Sequence, residues 1–357
     1  MLRYLVKKTI YSFAILLGVI VIIFFLFERF PDPARAMAGK RVDKETLINI
    51  RKSLGLDQPM HIRLVSYLND LSPIAVHEDS EENEEKYSYA MSLDMGKNVL
   101  VLKAPYFRTS YQRRTEVSEI IYNAVPSTAI LALTSIIIAL IIGLILGIVS
   151  AVYKDTFWDR IALVFATAGI STPSFVSGPI LAFIFAYLLY DWTGLNVQGE
   201  LFEETIDDNL NTVSYVNLKN LILPAITLGI RPVSIIMLLT RSSLLDALSQ
   251  DYVRTAFAKG LKTSVVLFKH SLRNALNPVV TAVSGWFASL LAGAFFVESV
   301  FNLKGIGFET IMGIEQNDKP VVMGCVVFIA IIFVLTNFFV DILYSVLDPR
   351  VSLKSSK

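Results

Sequence analysis

The chain has 357 residues, 54% of them hydrophobic, with a formal net charge of +1 and a mean hydropathy of +0.57. Its apolar share exceeds the roughly 45–50% of soluble domains, and its balanced charge gives no basic field for nucleic acid. One cysteine, Cys325, excludes an internal disulfide and a cysteine-type metal site, and His61, His77 and His270 are far apart with no HExxH spacing.

A bilayer core about 30 Å thick needs about 20 helical residues. Thr9–Phe27 is uncharged and nearly all apolar, the first predicted span. Arg3, Lys7 and Lys8 before it and Ala36-Met37-Ala38 after it resemble parts of a signal peptide. The apolar run outlasts the usual h-region of about 7–15 residues, and the triplet lies well past its end, so an uncleaved helix is expected. A large loop follows, roughly Glu28–Glu119. Within it, Thr46–Leu54 has helical character, His77–Glu85 is an acidic run read as mobile solvated surface, and Asn98–Lys103 reads as a short strand.

Ile120–Tyr153 is an uncharged second span, and Ile161–Tyr190 a third, with Pro173 and Pro179 inside it. Asn220–Thr240 is the fourth, interrupted by Arg231. A central Arg costs about 2.5–3.5 kcal/mol on the insertion scale. The eleven Leu, Ile and Val residues of that run contribute very roughly −3 to −7 kcal/mol together. The span should insert, with Arg231 against protein or water. Asn274–Val297 and Pro320–Val340 complete six.

The segment between the fourth and fifth spans is too patterned for a linker. Leu244, Leu248, Tyr252 and Ala256 recur every four residues, with Leu245, Val253 and Phe257 beside them, the stripe of an amphipathic helix continuing the fourth span. Gly260 after Lys259 marks its end. Leu261, Val265, Phe268, Leu272 and Leu276 then share one face of a second helix. Thr263 or Ser264 could cap its start, and Asn277-Pro278 should close it. Periodicity leaves two uses open: a basic amphipathic hairpin resting on headgroups, or a docking element for a cytoplasmic protein.

Lys and Arg in short loops set topology. With the N-terminus inside, the cytoplasmic segments hold fourteen such residues, among them Arg241, Arg254, Lys259, Lys262, Lys269 and Arg273, against Lys219, Lys304 and Lys319 in the short outer loops. Both termini are therefore expected in the cytoplasm.

Asp251-Tyr252-Val253-Arg254-Thr255-Ala256-Phe257-Ala258-Lys259-Gly260-Leu261 resembles the loop signature of ABC importer permeases of the dipeptide, oligopeptide and nickel group. His270-Ser271-Leu272-Arg273-Asn274-Ala275-Leu276 with Pro278-Val279-Val280-Thr281 is similar to its second half. Further likenesses run in order along the chain: Pro31-Asp32-Pro33, Leu54–Pro59, Pro224, Gly293-Ala294, Glu298–Phe301, Gly305-Ile306-Gly307, Asp318–Val322, Asp341–Tyr344 and Asp348-Pro349-Arg350. Three features depart from the family pattern, the first being that Pro31-Asp32-Pro33 lacks the family's usual glycine. Residues 72–107 make an unusually long outer loop, and Arg254-Thr255-Ala256 stands where the wider ABC permease pattern has Glu-Ala-Ala, as is usual in the peptide group.

The resemblance implies an all-α polytopic fold with six transmembrane helices of the type I importer kind. Residues 1–30 would be the first helix, 31–118 the outer loop, 119–348 the five-helix core with a coupling loop at 242–278, and 349–357 a cytoplasmic tail. It implies a multi-pass subunit of the bacterial inner membrane, moving peptides or a related small solute. Its implied partners are a second, similar permease, two cytoplasmic ATP-binding subunits and an extracytoplasmic solute-binding protein. The implied coupling residues are Asp251, Tyr252, Arg254, Ala256, Gly260, Leu261, Lys262, Val265, Val266, Phe268, Lys269, Leu272 and Arg273. Within that set, Val265, Val266 and Phe268 would enter an ATPase groove, with Lys262, Lys269 and Arg273 on the rim. No cofactor is implied, and without a GxxxxGK[ST] loop ATP hydrolysis must come from a partner. Arg231 is a candidate for the translocation path, where it could meet a peptide carboxylate. The plainer alternative is a structural Arg paired with carbonyls freed by Pro224 or with a carboxylate.

Other classes fit less well. Gly169-Ile170-Ser171 offers a serine for an intramembrane protease, but Pro173 stands where a GxSxG elbow needs glycine, and no span holds a histidine. A secondary transporter working without ATPases would want paired carboxylates or inverted repeats, and the spans hold almost no acid. A mere membrane anchor leaves the patterned hairpin without a role.

Overall fold

The computed structural model describes residues 2–29, 34, 43–206 and 212–347. The Pro31-Asp32-Pro33 element, the Ala36–Ala38 triplet and the basic tail from residue 348 onward lie outside the described residues.

In chain order, α1 is Leu2–Glu28, α2 Lys44–Ser53, α3 Met60–Leu71, β1 Ile74–Glu78, α4 Glu81–Tyr87, β2 Met91–Asp94 and β3 Asn98–Leu102. Then follow α5 Val117–Val152, α6 Phe157–Ser171, α7 Ser174–Leu181 with a π-helical extension Ala182–Leu188, α8 Tyr190–Thr193, β4 Phe202–Ile206 and β5 Thr212–Val216. The rest is helical: α9 Lys219–Leu248, α10 Asp251–Ala258, α11 Thr263–Val265 with a π-helical stretch Val266–Ser271, α12 Leu272–Gly293, α13 Phe295–Phe301, α14 Ile306–Glu315 and α15 Lys319–Leu347. The chain divides into two compact units, Met1–Val125 with Glu309–Val334, and Pro126–Phe308 with Leu335–Lys357.

In the first unit, Ile20, Ile23, Phe24 and Phe27 of α1 pack with Tyr67 and Leu71 of α3 and Val322, Met323 and Val327 of α15. The helix expected at 46–54 and the strand expected at 98–103 are present as α2 and β3. The acidic run is not loose surface. His77 and Glu78 end β1, and Glu81–Glu85 open α4. Ser80 caps that helix by accepting from the Asn83 amide (3.3 Å), and Glu81, Glu82 and Glu84 favour the positive end of its dipole. β3 pairs antiparallel with both β1 and β2, setting Leu100 opposite Val76 and Leu93. The alternate residues Val99 and Val101 are buried with Ala75. With this sheet and the β4–β5 hairpin, the fold is mostly helical rather than all-α.

Among the described residues, four helical stretches are long and apolar enough to cross a membrane: Val6–Glu28, Val117–Val152, Lys219–Leu248 and Lys319–Ile342. A fifth arises if α6 and the helix Ser174–Leu188 count as one broken span. The third expected span is therefore not one straight helix, because these halves meet at 115°. Thr172 leaves the helical region (φ −85°, ψ 121°), the conformation a residue before proline favours. Pro179 stays within α7. The span expected at 274–297 falls largely on α12, several of whose side chains lie outside the described residues.

The second unit is built around α9. Gly143 and Gly147, four apart on α5, lie on one helix face. A Cβ on Gly143 would meet the Val233 carbonyl oxygen at 2.9 Å, and one on Gly147 the Met237 carbonyl oxygen at 2.8 Å. Only glycine permits this approach, the small-xxx-small packing of membrane helices. Leu131, Ala132 and Ile136 of α5, Leu221, Leu223, Ala225 and Leu228 of α9, and Phe301 and Leu303 complete that core.

Candidate functional site

The patterned segment folds as a hairpin rooted in the second unit. α9 continues the fourth span to Leu248, as expected, but Gln250 is extended (φ −76°, ψ 150°), so α10 begins afresh at Asp251. Gly260 sits at φ 75°, a left-handed conformation that costs other residues about 1–2 kcal/mol. Lys262 is extended (φ −62°, ψ 142°), and the second helix starts at Thr263. Neither Thr263 nor Ser264 is the cap, and Lys262 at that position makes no side-chain capping bond. The π-helical stretch then leads directly into α12.

The stop expected at Asn277-Pro278 is absent, since Pro278 lies inside α12. Ala275 and Val279 on either side of it are buried in separate apolar clusters. That packing overrides the pre-proline preference, and helices of membrane proteins accommodate the lost hydrogen bond.

Burial sorts the predicted coupling residues. Val253, Ala256 and Val266 form the interior of the hairpin, with Leu248 packed against them. Val266, expected on the presented face, is 0% exposed and belongs to that interior. Leu272 is half-buried. Phe257, Leu261, Val265 and Phe268 are 45%, 39%, 37% and 58% exposed, and Tyr252 is 40% exposed. Asp251, Arg254, Lys262, Lys269 and Arg273 are also exposed, as is Gly260. The Tyr252 hydroxyl accepts from Asn274 Nδ2 (3.3 Å), linking α10 to α12. The hairpin thus has a closed interior and an apolar surface edged by cations.

Its root is fixed by charges that sequence reasoning passed over. Asp159, in the first turn of α6, is 1% exposed. It accepts Nε and Nη2 of Arg241 on α9, both at 2.7 Å, the Asp155 amide at 2.9 Å, and the Ser150 hydroxyl on α5. A bidentate pair with its remaining lone pairs satisfied is the geometry in which a buried ion pair can hold. Three helices are clamped one helical span or less from the hairpin. Arg241 had been counted only as a loop charge; its partner eighty-two residues away leaves no local signature.

Glu298 gives the Glu-Ser-Val-Phe and Gly-Ile-Gly elements a physical meaning. Its carboxylate, 0% exposed, accepts the Thr128 hydroxyl (2.7 Å) and the Phe308 amide (3.0 Å). A Cβ on Gly305 would lie 2.4 Å from that carboxyl group, and one on Gly307 would lie 2.5 Å from Phe295 Cα. In the first unit, Asp318 likewise accepts the Ser110 hydroxyl (2.5 Å) and the amides of Tyr111 (3.2 Å) and Gln112 (3.1 Å).

Arg231 is exposed on α9, with its guanidinium 5.8 Å from the centre of the Trp286 ring. No carboxylate among the described residues pairs with it.

The description of binding-protein-dependent transport system inner membrane components matches residues 143–353, and that of their N-terminal part matches residues 1–132. The glutathione transport system permease protein GsiC of Salmonella choleraesuis is 34% identical over 355 residues, covering 99% of this chain and 100% of its own. Its counterpart from Escherichia coli K12 is 32% identical over the same coverage. Among solved structures, the MetNI methionine ABC transporter in inward-facing conformations aligns with a TM-score of 0.48 and 16% identity, over 65% of this chain and 97% of that one. The chain belongs to the family of binding-protein-dependent transport system inner membrane components. It is the permease of an ABC importer, a non-enzymatic, multi-pass inner-membrane subunit that works with separate ATP-binding subunits and a solute-binding protein.

Proposed function

We propose that this permease imports small peptides, driven by ATP-binding partners that engage the hairpin between α9 and α12. The observation that carries the coupling role is the division of that hairpin. Its interior of Val253, Ala256 and Val266 is closed, while Leu261, Val265 and Phe268 stay exposed beside Lys262 and Lys269. An isolated amphipathic helix would bury its apolar stripe; here an apolar surface is left over, as a partner's groove requires. α9 and α12 lead from the hairpin into the apolar helices, so displacement there reaches the membrane region.

The peptide assignment draws on the glutathione permeases, whose cargo is a tripeptide. Six spans, both termini inside, and pairing with a second similar permease complete the proposed architecture. Arg231, without a carboxylate partner among the described residues, is placed in the path for a peptide carboxylate. The 72–107 segment is assigned to docking the binding protein; deleting 72–106 should weaken that protein's binding, and unchanged affinity would remove the assignment.

The experiment is co-purification from native membranes followed by reconstitution. ATP-binding chains, a second permease and a binding protein should copurify, and glutathione or dipeptide uptake should require ATP. Uptake that persists without the ATP-binding chains and collapses with the proton gradient would instead make this an ion-coupled transporter.

A further inference from the structure

The first unit holds a cavity of about 600 Å³, within the roughly 300–1,000 Å³ of small-molecule sites. Its wall contains five cationic side chains, Arg63, Lys86, Arg108, Arg114 and Lys319, and one acid, Asp70. Three of the cations are already matched. Arg63 and Lys319 share Glu28 (2.5 and 3.3 Å), and Arg108 pairs with Asp70 (2.9 Å). Lys86 and Arg114 have no carboxylate partner among the described residues. Lys86 instead lies over the Tyr87 and Tyr106 rings, 4.9 and 5.5 Å from their centres.

A second observation is independent of charge. Tyr67, also on the wall, is 2% exposed, and its hydroxyl has no hydrogen-bond partner among the described residues. Native proteins seldom leave such a group unsatisfied. The hydroxyl lies out of solvent's reach, so Tyr67 offers the cavity its ring rather than a hydrogen bond. The Arg108 guanidinium lies 5.2 Å from the centre of the Tyr67 ring, and rings make up much of the remaining wall.

We propose that this cavity is a binding site for a small organic carboxylate bearing an aromatic or bulky apolar group. Lys86 and Arg114 supply the unmatched positive charge, and the rings of Tyr67, Tyr87 and Tyr106 the apolar contact. The site is separate from the hairpin and stands whatever solute the permease moves.

The test uses the full chain in nanodiscs of zwitterionic lipid, with no partner chains, and two probes: N-acetyl-L-phenylalanine and its neutral amide. Calorimetry should give at least tenfold tighter binding of the acid. Lys86→Gln with Arg114→Gln, both exposed positions, should remove that preference without lowering the melting temperature. Lys97→Gln, which removes a charge away from the cavity, should change nothing. Equal affinity for acid and amide, a preference that survives the double change, or no binding of the acid would each overturn the proposal. Loss of solute-binding-protein affinity in the double variant, with no acid binding, would assign the cavity to a protein's acidic side chain.

Discussion

The hairpin at 251–271 and the outer segment at 74–102 are both charged stretches that leave apolar side chains exposed, yet they are organised differently. The hairpin closes a three-residue interior and leaves apolar residues outside. The outer segment buries Ala75, Val99 and Val101 on one face of a sheet and leaves Val76, Met91 and Leu93 exposed, while its Lys86 and Tyr87, with Tyr106, line a cavity. A local repeat organises the first, and strand pairing organises the second. The comparison teaches that the hairpin is set apart not by exposed apolar surface, which both regions carry, but by the long helices that lead from it into the apolar core.

The largest expected effect lies beneath the hairpin. Arg241→Ala leaves Asp159 buried and unpaired, which costs about 3–5 kcal/mol. The variant should accumulate poorly or melt well below the parent in detergent, and Asp159→Leu with Arg241→Leu should recover much of the loss. An unchanged melting temperature for the single variant would remove the clamp. Next comes Gly260→Val. A β-branched residue at φ 75° is penalised by about 1–2 kcal/mol, enough to misdirect the turn. The variant chain should assemble poorly or bind ATP without transport, and normal uptake would contradict the force-receiving role.

Smaller changes separate interior from surface. Val266→Ala should cost about 1–2 kcal/mol of stability through lost packing. Phe268→Ala should stay within about 0.5 kcal/mol in stability while lowering ATP-coupled uptake, and the reverse pattern would exchange their roles. The smallest effect belongs to the outer sheet. Burial, reinforced by Lys103 and Lys86 and opposed by Asp70, lowers the His77 pKa from 6.5, and its Nε2 lacks a partner among the described residues. The unfolded chain therefore binds the proton more readily, and the sheet's stability is full above pH 6.5 and falls as pH drops through it. Amide exchange across 74–102 should be faster at pH 5.5 than at 7.5 after correction for intrinsic rates, and His77→Gln should flatten the difference.

Much of this was legible in the chain. Long uncharged runs located the apolar helices, and the four-residue repeat with Gly260 located the hairpin. The limits were physical. Val266, which the resemblance implied for the groove, lies outside the periodic face of Leu261, Val265 and Phe268 and is buried at the start of a π-helical stretch from Val266 to Ser271. Pro173 bends the third span while Pro278 leaves its helix intact, because buried neighbours decide the second case. The Asp159–Arg241 clamp and the Asn98–Leu102 pairings join residues distant in sequence, and no periodicity reports them. The acidic run looked like solvated surface because its structure comes from a capping serine and a strand partner, not from its own apolar content.

Cross-linking from the hairpin tests the central claim most directly. A photo-reactive group placed on Phe268→Cys, in a Cys325→Ser background, should capture an ATP-binding subunit in native membranes, and one on Val266→Cys should not. Capture of lipid alone from position 268, or equal capture of the ATP-binding subunit from both positions, would contradict the account.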